Sequence, residues 1–225
     1  MSTGALSPWT KPEKDREKPR WKRSKSPSAG KATDRPAIAE PPNCAGDHFT
    51  NLVHEQENTV DQITGLADTL GKLLDAMNAQ VTTAESCTGG GIAEAITRIA
   101  GSSAWFEAGY VTYSNAQKTR QLGVSEALFA QVGAVSQPVV EAMVSGAQRE
   151  SGARFAVAVS GVAGPGGGSV DKPVGTVWLC WGDGHALVAH CRRFDGDRDQ
   201  VRRQTVEAAL QGLIQLARGE MPNQG

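Results

Sequence analysis

The sequence contains no apolar run that approaches the roughly 18 residues of a membrane-spanning helix. Its first residues also lack the apolar stretch of a secretory signal. These two absences predict a cytoplasmic protein that has no membrane partner. An excess of charge is missing as well, because 23 Lys and Arg face 24 Asp and Glu, giving a formal net charge of -1. Without a strong positive field, we do not expect the chain to bind nucleic acid.

Cysteine is scarce and shows no metal-binding spacing. The chain has four cysteines: Cys44, Cys87, Cys180 and Cys191. No pair of them forms CxxC or the Cys/His pattern of a zinc site, and so few cysteines do not suggest a disulfide scaffold. The acidic residues that could serve as metal ligands form no obvious set: Glu85, Asp171, Asp195 and Asp197. We therefore predict that the protein uses no metal and no other cofactor.

The composition divides the chain into three parts. Residues 1–55 are rich in Pro, Ser, Lys and Arg, and within residues 1–36 ten basic side chains face four acidic ones. Such a segment cannot bury enough apolar surface to offset the entropy of ordering, so we predict a disordered basic tail. The alternative is a nucleic-acid or partner-binding arm, which Glu13, Asp15 and Glu17 disfavour because they dilute its charge. One folded domain over 56–218 and a C-terminal tail over 219–225 complete the prediction.

Hydrophobic periodicity predicts helices and strands that alternate along the folded part. Apolar residues recur at spacings of three and four from Val60 to Met77 and again over 92–100, which indicates two amphipathic helices. Between them, QVTTAES predicts a strand that leads into a glycine turn. The aromatic and β-branched segment 103–114 predicts another strand, followed by a short helix that Gly123 ends.

The second half of the folded part continues this alternation. A helix capped by Ser125 and a helix opened by Pro138 come next. RFAVAVSG is a continuous apolar run, typical of a strand buried on both faces. PVGTVWLCW and HALVAHCRRF predict a hairpin around GDG, and a last helix starts near Asp197. Helices interleaved with buried and paired strands predict an α/β fold, a three-layer α/β/α sandwich around a mixed sheet.

Ser86, Cys87 and Thr88 lie together in AESCTGGG, between a predicted strand and a predicted helix. Backbone N–H groups at the start of a helix lack partners within the helix. The turn could therefore present a nucleophile together with donors for an oxyanion or a phosphate. The other interpretation is an N-cap followed by glycines that only permit close packing. The residue types leave both interpretations open, and they leave Cys87 as a competing nucleophile.

Lys118, in YSNAQK, is a candidate base. If the strand ends near Ser114 and a helical turn follows, Lys118 can fold back towards the sheet edge. Partial burial there would lower its pKa and let it take a proton from a hydroxyl. A solvated helix lysine is the alternative. The histidines, which would compete for this role, lie in the tail region and the last hairpin: His48, His54, His185 and His190.

A glycine-rich segment, SGVAGPGGGSVDKPVG, follows the buried strand from Ser160 to Gly175. It has neither the GK[ST] ending of a Walker loop nor the spacing of a dinucleotide fingerprint. Glycines let the backbone approach a ligand closely, and loops at the carboxyl ends of strands usually bind ligands in open α/β sheets. The alternative, a flexible surface loop, is disfavoured by the apolar strands on both sides.

Four segments, in the family's order, resemble the CinA C-terminal domain, or nicotinamide-nucleotide amidohydrolase, family: AESCTGG, GYVTYSNAQK, SGVAGPGGGSVDKPVGTV and FDGDRDQVRRQTV. The resemblance covers about residues 58–217. It implies the stand-alone form, because a polar segment precedes the first helix where longer members carry an additional domain. The implied reaction converts nicotinamide mononucleotide and water into nicotinate mononucleotide and ammonia, as part of pyridine nucleotide salvage.

The same resemblance implies roles for individual residues. Four are implied to be catalytic: the nucleophile Ser86, its activating base Lys118, Tyr113 and Ser160. Ser160 stands where relatives more often have threonine. Arg198 and Arg202 match basic positions expected near the ligand phosphate, and N–H donors around Thr88 to Gly90 are expected to hold the oxyanion. Substrate binding is further expected of Thr88, Gly89, Gly90, Asn115, Gly161, Gly164 and Gly166.

Two other functional classes stay open. A non-catalytic nucleotide-binding or competence-related interaction module is the first, but inactive members are expected to lack the serine or lysine motif, and both are present. A phosphate-ester hydrolase is the second, and it would normally need a metal with its carboxylates. We expect catalysis on a small-molecule substrate. We also expect a homo-oligomer, because a small three-layer domain has amphipathic helices available for association.

Overall fold

Five strands form one mixed sheet in the computed structural model, which describes residues 62–223. The strands are β1 (Val81–Glu85), β2 (Phe106–Val111), β3 (Phe155–Gly161), β4 (Thr176–Gly182) and β5 (Leu187–Arg193). Their order across the sheet is β2-β1-β3-β4-β5. β1 runs parallel to both β2 and β3, whereas β4 is antiparallel to β3 and β5. The predicted hairpin is therefore confirmed. The predicted tail over 1–55 lies outside the described residues.

Six α-helices cover the two faces of the sheet in the described part of the chain. They are α1 (62–76), α2 (Gly91–Thr97), α3 (Asn115–Leu122), α4 (Glu126–Val132), α5 (Gln137–Ser151) and α6 (Arg198–Ala217). Buried residues of α1, α2 and α6 form one apolar cluster with the sheet. Buried residues of α3 and α5 form a second cluster on the opposite face, with Phe129 of α4 packed against it. The predicted three-layer α/β/α sandwich is confirmed. None of the helices within 62–223 is long and apolar enough to cross a bilayer.

The continuous apolar run of β3 follows from burial on both faces. Phe155, Val157 and Val159 point into the cluster formed with α1, α2 and α6. Ala156 and Ala158 alternate with them and lie under α5. A central strand between two helical layers has no solvent face, so every position can be apolar.

Several predicted boundaries were wrong by a few residues. The strand expected over 103–114 is limited to β2, because Gly101 takes a left-handed φ of 84° and Ser102–Ala104 form a 3-10 helix. The helix expected over 92–100 ends at Thr97. Ser125 occupies the N-cap of α4, but its side chain makes no capping hydrogen bond. By contrast, Gly123 ends α3 with a φ of 68°, as predicted.

The parallel strands bring three chain segments to one edge of the sheet. Glu85, the last residue of β1, pairs with Val111 of β2 and with Val159 of β3. The residues that follow these strands therefore meet at the carboxyl edge, where ligands bind in open α/β sheets. This edge is where Ser86 and the glycine-rich segment both begin.

Candidate active site

Ser86 is the first residue after β1 and starts a tight turn. Its N–H donates to the Val159 carbonyl across the sheet at 3.1 Å, which extends the β1–β3 pairing by one residue. The chain then reverses through Gly89 and Gly90, whose φ values of 61° and 98° lie in the left-handed region. Glycine adopts these values with the least strain, so the two glycines favour the turn.

Lys118 lies at the start of α3, with its side chain folded back under the sheet edge. Ser114 caps the helix by accepting a hydrogen bond from the Gln117 N–H at 3.2 Å. The Lys118 Nζ donates to Ser86 Oγ at 2.9 Å. It also contacts the Thr112 carbonyl at 2.8 Å and the Tyr113 carbonyl at 3.4 Å.

Burial changes the acidity of Lys118. The residue is only 1% exposed, and burial lowers the pKa of its ammonium from 10.5 to about 8. Its three hydrogen-bond partners are uncharged oxygens, so none of them offsets the loss of solvation with a negative charge. Lys118 is then neutral in roughly a tenth of the molecules at neutral pH, and in that form it can accept a proton.

A cavity of about 200 Å³ opens beside the Ser86–Lys118 pair. Eight of the residues singled out from the sequence line it: Ser86, Cys87, Tyr113, Asn115, Lys118, Ser160, Gly161 and Arg198. Ser160 is buried, and its hydroxyl donates to the Ala134 carbonyl at 2.8 Å. Its oxygen lone pairs remain available as acceptors in the cavity.

Arg198 connects Tyr113 to the glycine-rich segment at the rim of the cavity. Its Nη2 donates to the Tyr113 hydroxyl at 3.1 Å, and its Nη1 donates to the Gly164 carbonyl at 2.8 Å. Tyr113 is 62% exposed, so its ring stands at the mouth of the cavity. Gly164 has a φ of 83°, and a Cβ there would meet Val174 Cγ1 at 2.6 Å. Gly166, in contrast, has open space around it.

Six residues expected to bind substrate do not line this cavity: Thr88, Gly89, Gly90, Gly164, Gly166 and Arg202. Arg202 lies behind the turn, where its Nη2 donates to the Thr88 carbonyl at 2.9 Å. Thr88 and Arg202 line a neighbouring cavity of about 330 Å³ instead. Of the two arginines expected near a phosphate, the structure thus brings Arg198, and not Arg202, to the Ser86 cavity.

Glu85 contributes to this site although the sequence indicated it only as a possible metal ligand. Its side chain is fully buried. Its carboxylate accepts hydrogen bonds from the hydroxyl of Thr88 and from the N–H groups of Gly90, Ile92 and Ala93. The sequence feature that could have indicated this role is a carboxylate at the end of a buried strand, just before a turn. Among residues 62–223, no group of three or more metal-ligating side chains is found.

These bonds limit which N–H groups of the turn can serve an oxyanion. The Gly90 N–H is held by Glu85, and the Gly89 N–H donates to the Ser86 carbonyl at 3.1 Å. Within the described residues, the N–H groups of Cys87 and Thr88 have no carbonyl or carboxylate acceptor. Of the donors expected around Thr88 to Gly90, the Thr88 N–H is therefore the one that lacks an oxygen acceptor in the described part of the chain, and the Cys87 N–H lacks one too. Both N–H groups contact the Cys87 sulfur, which is a weak acceptor.

Cys87 is a poor candidate for the nucleophile. It is 6% exposed, and burial raises the pKa of its thiol to about 12. A thiol with this pKa carries almost no thiolate near neutral pH, and the thiolate is the reactive form. The hydroxyl of Ser86, not the thiol of Cys87, receives the hydrogen bond from Lys118.

Replacing Cys87 with Ala is expected to change kcat, for the amide hydrolysis that the family resemblance implies, by less than about threefold, because an inert buried thiol takes no part in proton transfer. Steady-state ammonia release by the variant and the wild type measures the effect. Iodoacetamide is expected to leave the wild type active for the same reason. A loss of activity comparable to that of a Ser86 variant would instead identify Cys87 as the nucleophile.

Comparison with known proteins identifies relatives of the folded part. A family model described as the CinA C-terminal domain matches residues 63–217. A nicotinamide-nucleotide amidohydrolase, PncC, of Pseudomonas putida is 77% identical over 157 residues, covering 70% of this chain and 98% of its own length. The protein of the same name from Escherichia coli K12 is 52% identical over 161 residues, covering 70% of this chain and 96% of its own length.

Solved structures agree with these sequence matches. The competence/damage inducible protein CihA from Agrobacterium tumefaciens has a TM-score of 0.67 at 45% identity, covering 69% of this chain and 95% of its own. A competence-damaged protein (CinA) superfamily member from Klebsiella pneumoniae has a TM-score of 0.68 at 36% identity, covering 70% of this chain and 98% of its own. The similarity therefore spans nearly the full length of these relatives.

Proposed function

This chain belongs to the CinA C-terminal domain family, and we propose that it deamidates nicotinamide mononucleotide to nicotinate mononucleotide with release of ammonia. Relatives that bear the amidohydrolase name support the choice of substrate. The observation that carries the proposal is the 2.9 Å contact between Ser86 Oγ and a lysine whose pKa burial lowers to about 8. A nucleophile beside a base with this pKa is an arrangement that can hydrolyse an amide through a covalent intermediate.

The hydrogen bonds of Lys118 fit a neutral amine that acts as a base. Its two N–H bonds point to the Thr112 and Tyr113 carbonyls, which lie 2.8 and 3.4 Å away. The nitrogen lone pair is then directed at the Ser86 hydroxyl, 2.9 Å away. In this form Ser86 donates its proton to Lys118, and the carbonyls keep the amine in position while it becomes charged.

Acylation begins when Ser86 Oγ attacks the carboxamide carbon and its proton passes to Lys118. The charge that develops on the carboxamide oxygen is held by the N–H groups of Cys87 and Thr88. Lys118 returns the proton to the leaving nitrogen, the C–N bond breaks, and ammonia departs from an ester of Ser86. Water then attacks this ester with Lys118 again as base, which releases nicotinate mononucleotide and restores the Ser86 hydroxyl.

The cavity residues supply recognition of the nucleotide. We assign the phosphate to the guanidinium of Arg198, because it is the arginine that lines the cavity and a guanidinium binds phosphate oxygens in a bidentate manner. Tyr113, Asn115 and Gly161 line the same cavity. Gly164 contributes indirectly, because its carbonyl accepts a hydrogen bond from Arg198 at 2.8 Å. Arg202 supports the turn through the Thr88 carbonyl, so its part in binding is indirect.

A non-catalytic binding module is the rival function. Burying a lysine beside a serine, without an anion to pair with it, costs stability that a binding module has no reason to retain. The place of the reaction in pyridine nucleotide salvage, the cytoplasmic location and the homo-oligomer all stay predictions.

The proposal is tested by incubating the full chain with nicotinamide mononucleotide in the presence of EDTA. Equal amounts of ammonia and nicotinate mononucleotide are expected. Nicotinamide riboside, which lacks the phosphate, serves as the matched substrate and is expected to show a higher KM, because it cannot use Arg198. A folded protein that forms neither product from the nucleotide contradicts the proposed function.

A further inference from the structure

The carboxylate of Glu85 collects an unusual number of hydrogen bonds for a fully buried side chain. Its Oε2 accepts from Thr88 Oγ1 at 2.6 Å, from the Gly90 N–H at 3.0 Å and from the Ile92 N–H at 3.0 Å. Its Oε1 accepts from the Ala93 N–H at 2.9 Å and from Thr83 Oγ1 at 3.4 Å. A buried carboxylate is costly unless donors surround it, and here they do.

These donors belong to the turn and to the first residues of α2. The N-cap of α2 is Gly90, which has no side chain to cap the helix. Glu85 performs that function from the preceding strand, by binding N–H groups that would otherwise lack partners. The turn that carries Ser86 is therefore attached to its own strand through the Glu85 carboxylate.

Glu85 also connects the turn to the base. Its backbone carbonyl accepts a hydrogen bond from the Thr112 N–H at 2.9 Å, and the Thr112 carbonyl accepts one from Lys118 Nζ at 2.8 Å. On the other side of the turn, Arg202 holds the Thr88 carbonyl at 2.9 Å. The turn is thus held on one side by Glu85 and on the other by Arg202, and Ser86 Oγ lies 2.9 Å from Lys118 Nζ.

We propose that Glu85 is a positioning residue: its buried carboxylate fixes the turn so that Ser86 Oγ stays within hydrogen-bond reach of Lys118 Nζ. It contacts neither atom of that pair through its side chain and exchanges no proton. The activity readout of this proposal rests on the proposed deamidase function, so a second readout independent of the nucleotide is needed.

Glu85→Gln is the first variant. Glutamine keeps the size of the side chain but replaces one acceptor oxygen with an NH₂ group that faces donors. The turn then shifts, and we expect kcat for nicotinamide mononucleotide to fall by about 10²-fold with KM changed by less than about threefold, since small misplacements of reacting atoms cost this much. The matched control is Thr82→Val, which removes a buried hydrogen bond of the same strand, to the Ala108 carbonyl, and is expected to leave kcat unchanged.

Thr88→Val and Thr88→Ser form a second pair, which decides the matter if Glu85→Gln does not fold. Valine removes the 2.6 Å hydrogen bond to Glu85, whereas serine keeps the hydroxyl. We expect Thr88→Ser to have a kcat about tenfold higher than that of Thr88→Val, because serine keeps the hydroxyl that donates to Glu85 and valine lacks it. Equal kcat values for these two folded variants would overturn the proposal.

Sulfonylation by phenylmethanesulfonyl fluoride gives the readout that is independent of the nucleotide. Ser86 Oγ forms a bond to sulfur, fluoride leaves, and the serine proton passes to Lys118; intact mass measures the rate. We expect Glu85→Gln to react at least about tenfold more slowly than the wild type and Thr82→Val to react at the wild-type rate. If the wild type does not deamidate the nucleotide but Glu85→Gln is still sulfonylated more slowly than the wild type, the positioning role is supported and the proposed function fails. A folded Glu85→Gln variant that matches the wild type in both kcat and sulfonylation overturns the positioning role.

Discussion

Replacing Lys118 with Met is expected to lower kcat by about 10⁴-fold or more, because the proton of Ser86 then has no acceptor. Methionine resembles the lysine stem in length and suits a position that is 1% exposed. It also removes a cation that burial disfavours, so the melting temperature near neutral pH is expected not to fall. Steady-state ammonia release and thermal unfolding of the variant measure the two effects together.

The matched control for Lys118→Met is Lys72→Met. Lys72 lies on the exposed face of α1, 76% exposed and paired with Asp68 at 2.6 Å, so its loss is expected to leave kcat unchanged. A folded Lys118→Met variant that keeps more than about a tenth of the wild-type kcat would contradict the role of Lys118 as the base, since a missing general base costs at least about 10²-fold.

Replacing Ser86 with Ala is expected to reduce kcat by about 10⁴-fold to 10⁶-fold, because no acyl-enzyme can form without the hydroxyl. The Ser86 N–H bond to the Val159 carbonyl is unaffected, so the strand pairing and the fold are kept. The double variant with Lys118→Met is expected to be no slower than the slower single variant, because the two side chains act as one unit.

Ser145→Ala is the matched control for the loss of the Ser86 hydroxyl. Ser145 lies on the exposed side of α5, where its hydroxyl donates to the Glu141 carbonyl at 3.0 Å. Its replacement is expected to leave the kcat of ammonia release unchanged. If Ser86→Ala retained most of the wild-type rate while Cys87→Ala lost it, the thiol would be the nucleophile and the proposed mechanism would be wrong.

Residue patterns predict the layers of the fold, whereas the family resemblance implies the pairing of Ser86 with Lys118. The apolar run of β3 is typical of a strand buried on both faces, and helices interleaved with buried and paired strands predict three layers. From the residues alone, Lys118 is expected only to fold back towards the sheet edge, and the structure places its Nζ 2.9 Å from Ser86 Oγ. Ser114 and Gly123, which set the limits of α3, are both recognisable from residue type.

Other features of the site depend on contacts that spacing does not encode. Arg198 and Arg202 are four residues apart and lie on one face of α6, one turn from each other. Which of them reaches the cavity depends on how α6 packs across the turn, so only the structure separates Arg198 from Arg202. The hydrogen bonds of Glu85 could not be predicted from spacing either, because its partners span Thr83 to Ala93 and meet only when the turn has folded.

The pH dependence of kcat/KM for the wild type tests the central claim, a serine activated by a buried neutral lysine, most directly. The pKa of Lys118 in the folded protein is lowered to about 8, so the active, neutral form increases as pH rises through that value. From about pH 7 to about pH 10, kcat/KM for nicotinamide mononucleotide is expected to rise and then level off, with a midpoint near the Lys118 pKa. A profile that is flat or falling over this range, or that keeps rising to the pKa of an ordinary lysine, would contradict the account.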